Sequence, residues 1–254
     1  MSSSIVRVNN LHKSFRDLEV LRGIDIEIKK GEITTIIGKS GAGKSVLLKN
    51  IIGIIKPDKG EIFFEETDIT KLSGHELLQM RKNMGYLFQD AALFDFMSVE
   101  ENIAFPISEQ LRIKDKGVLN KKVKNLLELV ELPGIEKKYP SELSGGMRKR
   151  VGLARAIAVE PKIVLFDEPT TGLDPILAES INSLIMRVNK NLGVTCVVIS
   201  HDIASTFRGA DKVALLYDGL IQFFGTPADA VKSEHPVLKQ FISNSFKPLE
   251  GEKL

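Results

Sequence analysis

Gly38-Lys39-Ser40-Gly41-Ala42-Gly43-Lys44-Ser45 follows the pattern G-x-x-x-x-G-K-[ST]. It lies between the β-branched run Ile33-Thr34-Thr35-Ile36-Ile37 and the periodic apolar residues Val46, Leu47, Leu48, Ile51 and Ile52. The run reads as a buried strand and the periodic segment as a helix, so the glycines fall in the loop that joins them. Glycines let the backbone aim its N–H groups inward, and the helix that follows adds the positive end of its dipole. Such a loop suits phosphate oxygens. Lys44 is expected to neutralise the β- and γ-phosphates of a nucleotide, and the Ser45 hydroxyl to ligate Mg²⁺. The alternative, a flexible glycine loop without a ligand, is disfavoured by the flanking strand and helix.

Upstream, Val20 to Ile28 alternates apolar and polar residues, the pattern of a half-buried antiparallel strand. Downstream, Glu61 to Phe64 reads as a short strand, and from about Leu93 to Ala158 the periods become helical, with Val123, Leu126, Leu127 and Val130 as one apolar stripe. Ile163-Val164-Leu165-Phe166 is a second buried strand, ending in Asp167-Glu168. A strand that delivers acids at its C-terminal edge puts them where open α/β sheets bind ligands. Asp167 is expected to hold Mg²⁺ through its water shell and Glu168 to polarise an attacking water. By itself the pair also reads as solvated acids at a strand end; beside a phosphate loop the metal and base reading is preferred. A helix through Leu177 to Val188, a strand from Val194 to Ile199 and a hairpin turning at Asp218-Gly219 follow. Thr226-Pro227 supplies an N-cap and first-turn proline for a closing helix.

Composition bounds the class. The chain has 254 residues, 43% of them hydrophobic, enough for a sizeable core, and a formal net charge of +2 offers no basic field for nucleic acid. A single cysteine, Cys196, rules out an intrachain disulfide and fits a reducing compartment. The start, Met1-Ser2-Ser3-Ser4-Ile5-Val6-Arg7, lacks the apolar core of a signal peptide, and no apolar run is long enough for a membrane helix. A cytosolic or peripheral protein is expected. His12, His75 and His235 are scattered without metal-ligand spacing, and the lysines from Lys114 to Lys124 read as a solvated helix face rather than a lipid contact.

A second anion site follows from Leu143-Ser144-Gly145-Gly146-Met147, where Ser144 can cap a helix whose first turn is bare glycine backbone. This stretch, the phosphate loop and the Asp167-Glu168 strand together resemble the ABC ATPase family, and the similarity covers nearly the whole chain. The resemblance implies an α/β fold: a P-loop NTPase (RecA-like) core with a mainly parallel sheet, an N-terminal antiparallel β subdomain and an inserted helical subdomain at about 90–158. A C-terminal helical tail at about 226–254 would complete a single nucleotide-binding domain spanning 1–254. It also implies a head-to-tail dimer with a second copy, in which Ser144, Gly145 and Gly146 of one protomer close on the γ-phosphate of ATP held by the other.

Residue by residue, the resemblance assigns nucleotide binding to Phe15, which stacks on adenine, and to Gly38, Lys39, Ser40, Gly41, Ala42, Gly43, Lys44, Ser45 and Val46. Gln89 is implied to contact Mg²⁺ and the lytic water, Asp174 to cross the dimer interface and His201 to contact the γ-phosphate. Taken singly, Phe15 also reads as core, Gln89 and Asp174 as solvated loop residues, and His201 as a structural histidine. Two positions depart from the family: Met147 stands where glutamine is common, putting its polar contacts in doubt, and Phe15 stands where tyrosine is common, keeping the stacking face.

A nucleic-acid ATPase of this superfamily would usually carry two cassettes or a long coiled coil, and a metabolic kinase would not require the Ser144 site; an ABC transporter ATPase is therefore expected. Phe88 to Pro106, Glu142 to Arg150 and Gly193 to Asp202 look like the Mce/Mla-type ATPases of bacterial phospholipid transport. That group implies a transmembrane permease, a lipid-binding Mce protein, in some systems a STAS-domain subunit, and a place on the cytoplasmic face of the inner membrane. Import or export of another solute is the alternative. Leu93, Phe94 and Phe96 crowd apolar surface into a loop after Gln89, which reads either as a docking surface for the permease or as core.

Overall fold

A computed structural model describes residues 3–201 and 203–245. Asp202 and residues 246–254, the end of the expected C-terminal tail, lie outside the described residues. In chain order the elements are β1 (Ser4–Phe15), β2 (Leu18–Lys29), β3 (Ile33–Ile37), α1 (Lys44–Ile51), β4 (Lys59–Phe64), β5 (Thr67–Asp68), α2 (Gly74–Arg81), β6 (Met84–Leu87), α3 (Val99–Leu111), α4 (Lys116–Leu129) and α5 (Gly145–Ile157). The rest are β7 (Ile163–Asp167), α6 (Pro175–Leu192), β8 (Thr195–Ile199), α7 (Ile203–Gly209), β9 (Lys212–Tyr217), β10 (Leu220–Gly225), α8 (Pro227–Lys232) and α9 (Pro236–Ser245). The backbone divides into two compact units, Met1–Thr70 with Ile199–Leu254, and Lys71–Val198.

In the first unit an antiparallel sheet has the order β2-β1-β4-β5. β2 buries Leu21, Ile24, Ile26 and Ile28, the half-buried alternation expected of its sequence. Its partner β1 is harder to read, because the strand bulges: the register shifts between Val8 and Leu11, and Asn10 sits in the left-handed region at φ 45°. The same unit holds β3, wholly buried, parallel to β9, which turns through Asp218-Gly219 into antiparallel β10. Ile37, Val213, Leu215, Ile203 and Leu238 form a shared core, so α7 and α9 brace the end of β3, from which the phosphate loop leaves. The closing helix is set by a capping box: Thr226 Oγ1 accepts from Asp229 N at 3.1 Å, and Asp229 Oδ2 accepts from Thr226 N at 2.9 Å.

In the second unit β6 lies parallel to β7, pairing Met84 with Ile163 and Leu87 with Phe166, in the order β8-β7-β6. Helices α3, α4 and α5 occupy the stretch of helical periods, and α4 buries Val123 and Leu127 beneath exposed lysines. Cys196 is buried in β8, and desolvation pushes its thiol up to about 12. Alkylation requires thiolate, so iodoacetamide should label the native chain at least about a hundredfold more slowly than the unfolded chain. Peptide mass analysis after timed labelling checks this; equal rates would mean that β8 opens readily.

Candidate nucleotide site

The phosphate loop belongs to the first unit. Close approaches explain two of its three glycines: a Cβ at Gly38 would lie 2.3 Å from the Leu216 carbonyl oxygen, and one at Gly43, where φ is 96°, 2.8 Å from Val20 Cγ1. α1 starts at Lys44 directly after Gly43, which leaves the first-turn N–H groups facing the loop. Lys44 is buried, and its Nζ donates to the carbonyl oxygens of Gly38 and Lys39, both at 2.9 Å, so the ammonium lies across the loop. Ser45 and Val46 are half-buried in the first turn of α1, while Lys39, Ser40 and Gly41 are exposed; Ala42 is half-buried. Phe15 ends β1 at the turn to β2 and is 44% exposed, outside the core, with Lys13 Nζ 5.5 Å from its ring centroid. Ser200 N donates to the Ile36 carbonyl at 3.2 Å, which ties the chain just before the exposed His201 to β3.

The acids belong to the second unit. β7 buries Ile163 to Phe166 and ends at Asp167, itself only 5% exposed. The Tyr86 hydroxyl donates to Asp167 Oδ2 at 2.9 Å. Burial, then the adjacent Asp167 charge and this hydrogen bond, push the Tyr86 phenol well above its ordinary range. Glu168 turns sharply out of the strand at φ 51°, a left-handed conformation uncommon for a side chain of its size, and its Oε2 accepts from Thr171 Oγ1 at 3.1 Å.

Lys149 joins the remaining parts. Its Nζ donates to the Gln89 carbonyl and, at 3.5 Å, lies by the Glu168 carbonyl, bringing the chain at both residues to one buried cation. Burial lowers the Lys149 pKa, and the charges of Asp90, Glu168 and Asp167 oppose that shift. The Gln89 side chain itself is exposed. Lys149 was not singled out in the sequence, although it lies three residues after Gly146 and four before Leu153 on the buried stripe of α5.

Ser144 caps α5 by accepting from Met147 N at 3.3 Å, so residue 147 supports the turn through its backbone whichever side chain it carries. Gly146 is buried against α6: a Cβ there would stand 3.5 Å from Leu177 Cδ1. Asp174 caps α6, accepting from Ile176 N and Leu177 N at 3.0 Å each. Beside it, Ile176 is 82% exposed, an apolar side chain left on the surface next to Asp174.

Phe88, the residue before Gln89, lines an apolar cleft of about 320 Å³. Met84, Tyr86 and Phe88 project from one face of β6 and its extension as the floor, with Phe94, Phe105 and Arg155 among the walls. Phe94 and Phe96 are exposed, 36% and 76%, and Leu93 is half-buried, so the apolar loop is surface rather than core. Buried Asn102 holds that loop: its Nδ2 donates to the carbonyls of Phe94, Met97 and Ser98 at 3.0–3.1 Å, and its Oδ1 accepts from Phe94 N at 2.8 Å. Arg155 Nη2 donates to the Ala91 carbonyl at 2.8 Å, and its guanidinium lies 5.6 Å from the Phe94 ring centroid. Two helices thus fix an exposed aromatic surface in one shape.

The residues that the resemblance assigns to Mg²⁺, Ser45, Gln89 and Asp167, carry a hydroxyl, an amide carbonyl and a carboxylate, oxygen donors of the kind that suit Mg²⁺ rather than a thiolate- or imidazole-seeking metal. No helix of the described residues is long and apolar enough to cross a membrane.

The profile of a family described as ABC transporter matches residues 21–171. The "Intermembrane phospholipid transport system ATP-binding protein MlaF" of Haemophilus influenzae is 41% identical over 242 residues, covering 95% of this chain and 91% of that protein. The "Probable ribonucleotide transport ATP-binding protein mkl" of Mycobacterium tuberculosis is 40% identical over 238 residues, which is 94% of this chain. The match spans only 66% of that relative's length. Proteins named for methionine import and for sulfate/thiosulfate import match at 40% and 38% identity. Among solved structures, a dimeric ATP-binding cassette in a post-hydrolysis state with ADP and Pi superposes with a TM-score of 0.82 at 31% identity, over 87% of this chain and 98% of that one.

Proposed function

Because the chain belongs to the ABC transporter family and is an ATP-hydrolysing cassette of the ABC type, we propose that it powers phospholipid transport between bacterial membranes, as a homodimer docked on a separate permease at the cytoplasmic face of the inner membrane. The observation that carries the transport reading is the exposed aromatic cleft lined by Phe88, the neighbour of Gln89, and held in shape by Asn102 and Arg155. An apolar surface of fixed shape suits a partner's helix, and its link through Phe88 to Gln89 lets a residue assigned to Mg²⁺ and the lytic water bear on that partner. The MlaF relative supports a phospholipid cargo; a lipid-binding Mce protein and, in some systems, a STAS-domain subunit are further partners that only the resemblance to Mce/Mla-type ATPases suggests. The methionine- and sulfate-import relatives favour a second reading, in which the same machinery moves another solute.

In the proposed cycle Phe15 stacks on adenine, and the N–H groups of Gly38 to Val46 receive the phosphates. Lys44 leaves its two neutral carbonyl acceptors for the β- and γ-phosphate oxygens, a stronger charge-assisted bond. Ser45, Gln89 and Asp167 would hold Mg²⁺, which neutralises charge on the β- and γ-oxygens when bound. Glu168 accepts a proton from water as its oxygen bonds to the γ-phosphorus; the bridging P–O bond breaks and its electron pair leaves with ADP. His201 contacts the γ-phosphate from the same chain. Ser144, Gly145 and Gly146 act on the ATP of the second copy, and Asp174 lies at the shared surface. Closure of the dimer on ATP then moves Gln89 and the cleft that Phe88 lines.

Phe94→Asp tests the docking surface. Phe94 is exposed, so the variant should fold and bind ATP as the parent does, while its carboxylate opposes burial against an apolar helix. Co-purification with the permease should fall at least about tenfold, the loss expected when a buried anchor becomes charged. Phospholipid transfer by the reconstituted complex should fall with it. Unchanged assembly and transfer would move docking elsewhere; a complex that carries only small polar solutes would refute the lipid cargo and leave the ATPase reading intact.

A further inference from the structure

Tyr86 belongs to two features at once. It opposes Leu165 in the parallel pairing of β6 with β7, and Asp167 lies two residues beyond Leu165 on the same face, so a long side chain at 86 reaches the carboxylate diagonally. Its hydroxyl spans that gap to Asp167 Oδ2 at 2.9 Å. Its ring lies on the cleft floor, with the Phe88 centroid 4.3 Å away.

We propose that Tyr86 is a positioning residue that couples the apolar cleft to Asp167: contacts made in the cleft set the ring, and the hydroxyl sets the orientation of the carboxylate offered to Mg²⁺. This rests on the reading of Asp167 as the Mg²⁺ carboxylate.

The geometry favours this over simple satisfaction of a core phenol. A buried tyrosine hydroxyl can donate to any nearby acceptor. Here it takes a nearly buried carboxylate, and a donor to a charged group in a low-dielectric setting restrains it far more than a donor to a neutral one. The bond fixes Oδ2, and with it the direction in which Oδ1 can point. Phe88 packs against the ring at a tilt of 42° and leads directly into Gln89, so displacement at the cleft floor reaches both residues assigned to the metal. Packed aromatic surfaces pass on such shifts because they have little free volume to absorb them.

Tyr86→Phe in the full chain keeps the ring and removes the hydroxyl. With ADP as the probe, affinity in EDTA should stay within about twofold of the parent, and the gain in affinity on adding Mg²⁺ should shrink by about tenfold, the scale of one hydrogen bond to a charged group. A Mg²⁺ gain equal to or greater than the parent's would overturn the proposal. Asp167→Asn separates this outcome from failure of the metal assignment: if that variant also keeps the full Mg²⁺ gain, Asp167 is not the metal carboxylate. The coupling has its own readout. The chain has no tryptophan, so Phe105→Trp places a single tryptophan, excited selectively at the red edge of its absorption, in the cleft wall. Mg²⁺ added to its ADP-bound form should shift the emission, and the shift should vanish when Tyr86→Phe is combined with it. A shift that persists undiminished in the double variant, or none in the single variant, would refute coupling through Tyr86.

Discussion

Glu168→Gln is expected to lower steady-state ATP turnover by about a thousandfold while ATP affinity stays within about twofold, within the range for loss of a general base. The side chain leaves the buried strand at φ 51° and is held by the Thr171 hydroxyl on Oε2. An amide oxygen can accept that same bond, and the backbone turn does not depend on the charge. Only the proton acceptor is lost. Equilibrium binding of ATP beside a phosphate-release assay separates the two effects, and near-parental turnover would remove Glu168 from its assigned role. Lys44→Ala gives the contrast: the side chain that crosses the loop is absent, so binding and turnover should both fall, by at least about tenfold in affinity for a charge-assisted phosphate contact.

The second large effect is complementation between damaged chains. If Ser144 serves the ATP of a second copy, Ser144→Arg and Lys44→Ala homodimers are each damaged at both sites. A heterodimer of the two places both lesions in one composite site and leaves the other intact. Ser144 is exposed at the start of α5, so an arginine there blocks the anion site without entering the core. In a Glu168→Gln background, which stalls hydrolysis, each parent should trap almost no ATP. Random mixing should restore about a quarter of the undamaged level, since about half the dimers are mixed and each keeps one site. Nucleotide retained after rapid desalting measures it. No gain over either parent would refute sites shared between copies.

How much of this was legible beforehand follows from how local each determinant is. The phosphate loop, the strand that ends in Asp167 and Glu168, the Ser144 cap, the Asp218-Gly219 hairpin and the Thr226-Pro227 helix start each depend on residues within about one helical turn or one strand, so composition and period reveal them. The bulge at Asn10 breaks the alternation of β1, and the four residues of β6 are too few to carry a period, so neither strand is legible from pattern. Within the site, Phe15 and the Leu93 to Phe96 loop had two readings each. Exposure removes the core reading of both, because burial depends on which distant elements cover a side chain, and here Asn102 and Arg155 fix the loop at the surface.

Lys149 and Asn102 left a faint trace as polar residues on the buried stripes of α5 and α3, but their partners come from other segments. Tyr86 left none: its bond to Asp167 joins residues 81 positions apart and exists only because β6 and β7 pair in parallel with Tyr86 opposite Leu165. The sequence alone therefore determined the chemical groups proposed here to meet a nucleotide, since those lie in short contiguous motifs whose conformation is set by neighbouring residues. Only the tertiary structure decided which backbone carbonyls Lys149 gathers, which hydroxyl holds Asp167 and which aromatic rings remain exposed. Those follow from strand register and helix packing, which bring together residues that no sequence period relates.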